Sequence, residues 1–310
     1  MPVIIPRELP ANKILRDENV LVIDKERADH QDIRPLNVAL VNLMPTKIAT
    51  ETQFTRLLSS SPIQINLDFI YTKSHTPRHI SKEHLINFYK GIDELKGKKY
   101  DAMIVTGAPV ENLAFEEVEY WEEMKEILDY TKENCTSAMY ICWGAQAALH
   151  HFYGLNKKLL DKKLFGVFLH ENLGQDNLLL KGIDDYFYAP HSRHTYISEE
   201  DIRSVKEINI LARSDKAGVH IAATDDFSSI FVMGHGEYDR ETLKAEYDRD
   251  KAKGLPIDVP ENYFPDDDTT KRPMVLWDSA ANLIFKNFVN LVYQITPFDT
   301  SLIGKLRHID

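Results

Sequence analysis

One cysteine stands where an enzyme could use it as a nucleophile. Cys142 follows the apolar residues 137–141, which we predict to be a strand, and precedes residues 145–153, which we predict to be a helix. Such a turn projects the sulfur from the carboxyl end of the strand, and the positive end of the helix dipole favours a thiolate there. The backbone N–H of Trp143 would then face a developing oxyanion. We therefore predict that Cys142 is a nucleophile and that Cys135 is a buried structural thiol.

A cysteine nucleophile needs a base, and the best candidate among the twelve histidines is His235. It ends the apolar residues 230–234, and Glu237 follows two positions later. Residues i and i+2 of an extended chain share a face, so Glu237 could orient the imidazole and stabilise its cation. Cys142, His235 and Glu237 would then form a triad. The alternative is that His235 is a surface residue at a strand end, because triads are recognised by geometry rather than by sequence.

Alternating strands and helices must position these residues. In the first half of the chain, the patterns predict strands at 37–43, 65–71, 100–106 and 137–142, with helices at 50–58, from 81, at 115–133 and at 145–153. In the second half, they predict strands at 164–170, 185–190, 208–212, 220–224 and 229–235, with helices at 240–253 and 278–293. This order indicates an α/β fold with a mostly parallel sheet and helices on both faces, in which some of the later strands are antiparallel.

The chain is expected to form one large domain with two extensions. Residues 1–35 carry four prolines and little periodicity, so we predict an irregular N-terminal arm. Residues 36–296 would be the single α/β domain, and residues 297–310 a C-terminal tail. The proline-containing and acidic residues 255–273 are predicted to be a surface loop.

The composition and the residue patterns argue against several classes of protein and of site. The 310 residues carry 37 Lys and Arg against 48 Asp and Glu, a net charge of −11, which makes nucleic acid an unsuitable partner. No apolar run reaches the roughly 20 residues of a membrane helix, and the first residues do not have the pattern of a signal peptide, so we expect a cytoplasmic protein without a membrane partner. Seven extended residues separate the two cysteines too far for a disulfide, and their number and spacing argue against a structural zinc site.

Several longer sequence motifs point to one protein family more specifically than the three triad residues do. They are the N-terminal MPVIIP, NLMPTKIATETQ at 42–53, TGAPVE at 106–111, CWGAQ at 142–146, APHSRH at 189–194 and GHGEY at 234–238. Together they closely resemble the homoserine O-acyltransferases of the MetA family, in the same order and over essentially the whole chain. The strand-to-helix turn at Cys142, followed downstream by the His-x-Glu sequence at 235–237, also resembles the class I glutamine amidotransferase (flavodoxin-like) fold.

The resemblance implies a ping-pong acyl transfer to the side-chain hydroxyl of L-homoserine, a step of methionine biosynthesis. Cys142 would hold the acyl group, His235 would move the proton, and Glu237 would orient His235. Acetyl-CoA would be a co-substrate, with no other cofactor and no metal. The resemblance also implies a homodimer.

The same resemblance assigns substrate contacts to Lys163, Ser192 and Arg249. From the residues alone, Lys163 would be a solvated lysine and Ser192 a turn-capping serine. Glu246 lies three residues before Arg249 in a predicted helix, so the two could bind the charged groups of homoserine or form a plain surface ion pair. Lys47, in the first long motif, is a weaker candidate.

Glu111 is the position that the resemblance connects with the acyl donor. In the family, Gly at this position goes with succinyl-CoA and Glu with acetyl-CoA. The physical reason is that a glutamate would fill the space of a succinyl tail and repel its carboxylate. From the residues alone, Glu111 would be an exposed acid in a loop.

Three other functions stay open at this point. The protein could be a homoserine O-succinyltransferase, or a glutamine amidotransferase or cysteine hydrolase on the same fold, since fold does not fix chemistry. It could also be a binding protein with an inactive site, which the presence of all three triad residues disfavours. We predict a homoserine O-acetyltransferase.

Overall fold

A twelve-stranded sheet forms the centre of this computed structural model, which describes residues 3–18, 22–23, 25, 34–74, 80–174 and 176–305. Its strands within this part of the chain are β1 (Val3–Ile4), β2 (Val22–Ile23), β3 (Leu36–Val41), β4 (Ile65–Ile70), β5 (Tyr89–Lys90), β6 (Tyr100–Val105), β7 (Cys135–Ile141), β8 (Lys158–Asn172), β9 (Tyr186–Tyr196), β10 (Ile208–Ser214), β11 (Gly218–Thr224) and β12 (Ser229–Val232).

The sheet has a parallel half and an antiparallel half. Its order is β2-β1-β4-β3-β6-β7-β12-β11-β10-β8-β9, with β5 paired to β4. All pairs from β2 to β12 are parallel, and all pairs from β12 to β9 are antiparallel. The predicted α/β class with a mostly parallel sheet is confirmed, as are the antiparallel later strands.

Helices cover both faces of the sheet. They are α1 (Pro10–Asp17), α2 (Lys47–Leu58), α3 (Lys82–Phe88), α4 (Trp121–Asn134), α5 (Trp143–Tyr153), α6 (Glu199–Arg203), α7 (Thr242–Ala252) and α8 (Asp278–Ile295). On one face α2 packs against α8, where the rings of Phe54 and Phe285 lie 6.1 Å apart. On the other face α4 and α5 bury Trp121, Met124 and Trp143. None of the helices in the described ranges is both long and apolar enough to cross a membrane.

The prediction of an irregular N-terminal arm is wrong for most of the residues described there. Helix α1 buries Ala11 and Leu15, and strands β1 and β2 extend the sheet in parallel beyond β4. The prolines misled the prediction, because Pro10 occupies the first turn of α1, where a missing N–H breaks no hydrogen bond.

Other boundaries also differ from the prediction, among them those of strands β8, β9 and β12. The helix predicted at 115–133 begins only at Trp121, and residues Phe115–Glu117 form a 3-10 turn before it. The C-terminal tail is not separate from the domain as far as the structure describes it, since Ile303 is buried and the backbone of Gly304 packs against Glu133. Residues 306–310 of the predicted tail lie outside the described residues.

Candidate active site

The carboxyl ends of three neighbouring parallel strands meet at one edge of the sheet. Strand β7 lies between β6 and β12, with Ile141 opposite Val232. Cys142 directly follows β7, and His235 lies three residues beyond the end of β12. Gly107, just beyond β6, lies against both, since a Cβ added there would be 3.2 Å from the Cβ of Cys142 and 3.5 Å from Cε1 of His235. The sheet therefore brings Cys142 and His235 together.

Cys142 occupies the strand-to-helix turn in a strained conformation. Its φ of 51° and ψ of −115° are unusual for a residue other than glycine, and such strain is common at functional sites. Helix α5 starts at the next residue, so the Trp143 N–H has no acceptor within the helix and lies beside the cysteine. A Cβ on Gly144 would lie only 2.7 Å from the carbonyl oxygen of Thr106, so only glycine lets the helix approach β6 this closely.

His235 is buried and oriented by Glu237. Its Nδ1 lies 2.7 Å from Oε1 of Glu237, and both side chains are less than a tenth exposed. Burial lowers the pKa of the His235 imidazolium, but the charges of Cys142 and Glu237 and their hydrogen bonds outweigh burial and raise that pKa well above its usual value. The imidazolium is therefore favoured at neutral pH, as a thiolate partner requires. The site can hold a nucleophile, a base and an orienting carboxylate in contact.

A second cluster, centred on Glu246, contains two of the predicted substrate residues. Oε2 of Glu246 accepts hydrogen bonds from Nζ of Lys163 at 3.1 Å and from Oγ of Ser192 at 2.6 Å. Oε1 of Glu246 accepts from the Tyr238 hydroxyl at 3.4 Å. The Lys163 ammonium is mostly buried and lies over the ring of Phe165, so it is not the solvated lysine that its sequence context suggested.

Arg249 joins this cluster through a residue that the sequence analysis missed. Its guanidinium binds both carboxylate oxygens of Asp250, at 2.7 and 3.0 Å, and not Glu246. Asp250 also lies 3.6 Å from Nζ of Lys163. The neighbouring Arg249 guanidinium lowers the pKa of the Asp250 carboxyl, which therefore stays ionised. Since Arg249 is about half exposed, a substrate could reach it from solvent.

Glu111 is partly buried in the turn after β6 and contacts β9, so it is not an exposed loop acid. Its Oε2 accepts from the backbone N–H of His194 at 2.9 Å, and the Thr195 hydroxyl lies 3.4 Å away. Arg193 directly precedes His194 in strand β9, and its side chain is buried. Burial lowers the pKa of Arg193, while the charges of Cys142 and Glu111 raise it. Both negative groups thus act on one buried cation, which the sequence analysis did not identify.

Lys47 lies in a different cluster from the triad. Its Nζ donates to the carbonyl oxygen of Asn42 and lies 5.8 Å from the centre of the Tyr89 ring. Burial lowers its pKa to about 8, although the nearby Glu51 raises it. The described contacts of Lys47 include none with Cys142, His235 or Glu237.

Three buried histidines form a further group that the sequence analysis did not identify. The ring nitrogens of His170, His191 and His220 that could hold a metal lie within 4.8 Å of one another. His170 and His191 are joined through their Nε2 atoms at 3.0 Å, and Nδ1 of His191 accepts from Nε of Arg193 at 3.4 Å. That contact places the His191 proton on Nε2, which therefore donates to Nε2 of His170. Burial lowers the pKa of all three imidazoles, so the group consists of neutral rings.

Comparison with known proteins identifies the family to which this chain belongs. The model described as HTS, homoserine O-succinyltransferase, matches residues 2–298. The chain belongs to this family. A relative from Acetivibrio thermocellus is 54% identical over 96% of this chain and 98% of its own length, and one from Clostridium acetobutylicum is 56% identical over 96% and 100%. Both relatives of this HTS-family chain are named homoserine O-acetyltransferase.

Solved structures similar to this HTS-family chain confirm the predicted fold. A putative GMP synthase protein from Thermoplasma acidophilum has a TM-score of 0.53 and 14% identity over 84% of this chain and 96% of its own. A glutamine amidotransferase from Thermotoga maritima has a TM-score of 0.50 and 12% identity over 84% and 99%. At these identities the likeness establishes the class I glutamine amidotransferase-like fold and says nothing about the reaction.

Proposed function

We propose that this protein is a homoserine O-acetyltransferase, which transfers the acetyl group of acetyl-CoA to the side-chain hydroxyl of L-homoserine through a thioester on Cys142. The observation that carries the proposal is the position of Cys142 at a strained strand end beside a buried His235–Glu237 pair. The names of the relatives, at 54% and 56% identity over nearly the whole chain, supply the substrate class. The product would serve methionine biosynthesis.

In the first half-reaction, the Cys142 thiolate attacks the thioester carbonyl carbon of acetyl-CoA. The negative charge moves to the carbonyl oxygen, where the Trp143 N–H and the helix dipole stabilise it. The C–S bond to CoA then breaks, and the CoA thiolate takes the proton from the His235 imidazolium. Because one thioester replaces another, this step is nearly isoenergetic and suits a cysteine.

In the second half-reaction, the homoserine hydroxyl attacks the acetyl carbon on Cys142. Neutral His235 accepts the hydroxyl proton while the new C–O bond forms. The bond from carbon to sulfur breaks and regenerates the thiolate beside a protonated imidazole. Glu237 keeps the ring in the orientation that both steps need and stabilises its cation.

The Glu246 cluster supplies groups of both signs for homoserine. A carboxylate has about four acceptor positions, and the contacts described for Glu246 use three of them. The remaining position suits the α-ammonium group. Lys163 and the half-exposed Arg249 suit the α-carboxylate, while Ser192 holds Glu246 in place.

Glu111 favours acetyl-CoA over succinyl-CoA as the donor. The charges of Glu111 and Cys142 both raise the pKa of the buried Arg193 guanidinium, which supports the proposal that a succinyl carboxylate would bring a further negative charge near Glu111. An acetyl methyl carries no charge and needs no extra space. The family model carries the name of a succinyltransferase, and the donor is therefore the point that an experiment should decide first.

The donor test compares kcat/KM for acetyl-CoA and succinyl-CoA in the wild type, Glu111→Gly and Glu111→Gln. Gln keeps the size and the acceptor oxygen that binds the His194 N–H, whereas Gly removes both the charge and the arm. We expect the wild type to prefer acetyl-CoA. Gly should shift the ratio toward succinyl-CoA by about one to two orders of magnitude, and Gln should shift it less. A wild-type preference for succinyl-CoA, or an unchanged ratio in Glu111→Gly, would refute the acetyl assignment.

The proposal includes no cofactor and no metal. From the resemblance we also propose a cytoplasmic homodimer, for which sedimentation should give twice the mass of one chain. A glutaminase or other cysteine hydrolase remains the competing activity, and release of ammonia from glutamine in the absence of acyl-CoA would reveal it.

A further inference from the structure

Tyr238 is the residue that touches both parts of the candidate site. Its ring stacks on the imidazole of His235, with centroids 4.3 Å apart and planes 12° from parallel. Its hydroxyl donates to Oε1 of Glu246 at 3.4 Å. One side chain thus bridges the base of the triad and the carboxylate at the centre of the substrate cluster.

Surrounding groups fix Tyr238 in this position. Its side chain is only 6% exposed, and its backbone carbonyl accepts from the indole N–H of Trp277 at 3.0 Å. Its own backbone N–H donates to the carbonyl of His235 at 3.3 Å, which closes a tight turn through Glu237. Burial and the nearby carboxylate of Glu246 raise the pKa of the Tyr238 phenol well above its usual value, so the hydroxyl stays protonated and donates.

The ring and the hydroxyl of Tyr238 act on different partners. An aromatic face within about 6 Å of a cation attracts it, most strongly where water is excluded, so the ring stabilises the protonated state of His235. A hydroxyl donor on a carboxylate fixes its rotation, so the phenol presents the open acceptor position of Glu246 in one direction.

We propose that Tyr238 is a positioning residue with two separable tasks: its ring supports the catalytic base in both half-reactions, and its hydroxyl orients Glu246 for the α-ammonium group of homoserine. This inference rests on the proposed function. It adds a link between acceptor recognition and the base, because the turn that carries the base also carries the residue that orients Glu246.

Two variants separate the tasks. Tyr238→Phe keeps the stacked ring and removes only the hydroxyl, whereas Tyr238→Leu removes the ring as well. The formation of acetyl-Cys142 from acetyl-CoA alone is followed by rapid quench and mass analysis, and KM for homoserine is measured at saturating acetyl-CoA. For Tyr238→Phe we expect a five- to tenfold rise in homoserine KM, while acetylation slows by less than twofold. For Tyr238→Leu we expect acetylation itself to slow at least tenfold.

Tyr263→Phe is the matched control. Tyr263 is also buried, but within the described ranges its hydroxyl bonds to backbone groups alone, donating to the carbonyl of Arg240 and accepting from the N–H of Lys244. Its loss should lower stability without moving homoserine KM.

The outcomes are distinct from those of the proposed function. If the wild type forms no acetyl-enzyme, the proposed function itself fails. If the wild type does form it, an unchanged homoserine KM in Tyr238→Phe overturns the role of the hydroxyl, and normal acetylation in Tyr238→Leu overturns the role of the ring. Equal effects of Tyr238→Phe and Tyr263→Phe on homoserine KM would reduce Tyr238 to a structural residue.

Discussion

His235 is buried between two acidic side chains, those of Cys142 and Glu237. Burial alone would favour the neutral imidazole, yet Cys142 and Glu237 raise the His235 pKa well above its usual value. The folded state therefore binds the His235 proton more tightly than the unfolded chain does. The stabilisation from this pair is complete below the unfolded pKa and is lost as the pH rises through the raised folded pKa.

This charge arrangement predicts the reactivity of Cys142. At pH 7, iodoacetamide should alkylate Cys142 in the wild type, because the imidazolium stabilises the thiolate. His235→Asn removes the cation and should slow alkylation at least tenfold, while Glu237→Gln lowers the His235 pKa and should slow it less. Mass analysis of the labelled peptides gives both rates.

The same variants rank the triad members in turnover. His235→Asn should lose far more activity than Glu237→Gln, because the imidazole moves the proton and the carboxylate only orients and stabilises it. Equal losses in the two variants, or alkylation in His235→Asn as fast as in the wild type, would contradict these roles. Cys135, buried at the opposite end of β7, serves as the unlabelled reference.

At the scale of single residues, the sequence predicted the groups that local spacing defines. Cys142 was visible from its strand-to-helix context, and His235 with Glu237 from the i, i+2 relation at a strand end. Arg193 was not identified, because its role depends on partners far away in the sequence, and the same holds for the contact of Asp250 with Lys163. Arg193 acts on Glu111 and Cys142, which lie on other segments of the chain. Tyr238 was missed although His235 and Glu246 lie only three and eight residues from it, because ring stacking and a hydroxyl contact have no signature in the residue pattern.

At the scale of elements, the contact between helix α5 and strand β6 holds the nucleophile in place. A Cβ on Gly144 would lie 2.7 Å from the carbonyl oxygen of Thr106 and 2.9 Å from that of Val105. Backbone atoms cannot move aside as a flexible side chain does, so any larger residue must push the helix start, and with it the Trp143 N–H, away from the sheet.

Gly144→Ala should therefore reduce both stability and catalysis. We expect a loss of about 1–3 kcal/mol in the free energy of unfolding from overpacking and at least a tenfold loss in kcat. Gly154→Ala at the other end of α5 is the control. Its φ of 69° strains an alanine by about 1–2 kcal/mol, but a Cβ there meets nothing within 4 Å and lies far from the site.

Denaturant unfolding and steady-state kinetics on both variants separate the two effects. Similar losses of stability with a loss of kcat only in Gly144→Ala would support the role of the helix start in catalysis. Full activity in Gly144→Ala would show that the turn at Cys142 tolerates displacement. It would contradict the claim that the close contact between α5 and β6 is needed for catalysis.

Element boundaries were predictable where local chemistry sets them. Ser81 caps α3 by accepting from the N–H of His84, and Gly154 ends α5 in the left-handed conformation, both as the sequence indicated. The N-terminal arm was mispredicted because β1 and β2 have only two residues each and become strands only by pairing with β4 and with each other. Pairing of this kind is a tertiary effect that local propensity does not carry.

At the scale of the whole molecule, the two halves of the sheet position different parts of the candidate site. The parallel half supplies the ends of β6, β7 and β12, which bring Gly107, Cys142 and His235 together. The antiparallel half supplies β8 and β9, which carry Lys163 and Ser192 to the Glu246 cluster. The alternation of strands and helices predicted the first half well, but the order of the later strands was not predicted, because short connections allow several antiparallel arrangements.

The central claim is that Cys142 carries the acetyl group between the two substrates, and acyl-enzyme trapping tests it most directly. Wild type, Cys142→Ala and the control Cys135→Ala are each incubated with acetyl-CoA alone, and intact mass and peptide mapping locate any acetyl group before and after L-homoserine is added. We predict one acetyl group on Cys142 in the wild type and in Cys135→Ala, its transfer to homoserine on addition, and neither adduct nor turnover in Cys142→Ala. Turnover in a folded Cys142→Ala protein, or an acetyl group found only on another residue, would contradict the account.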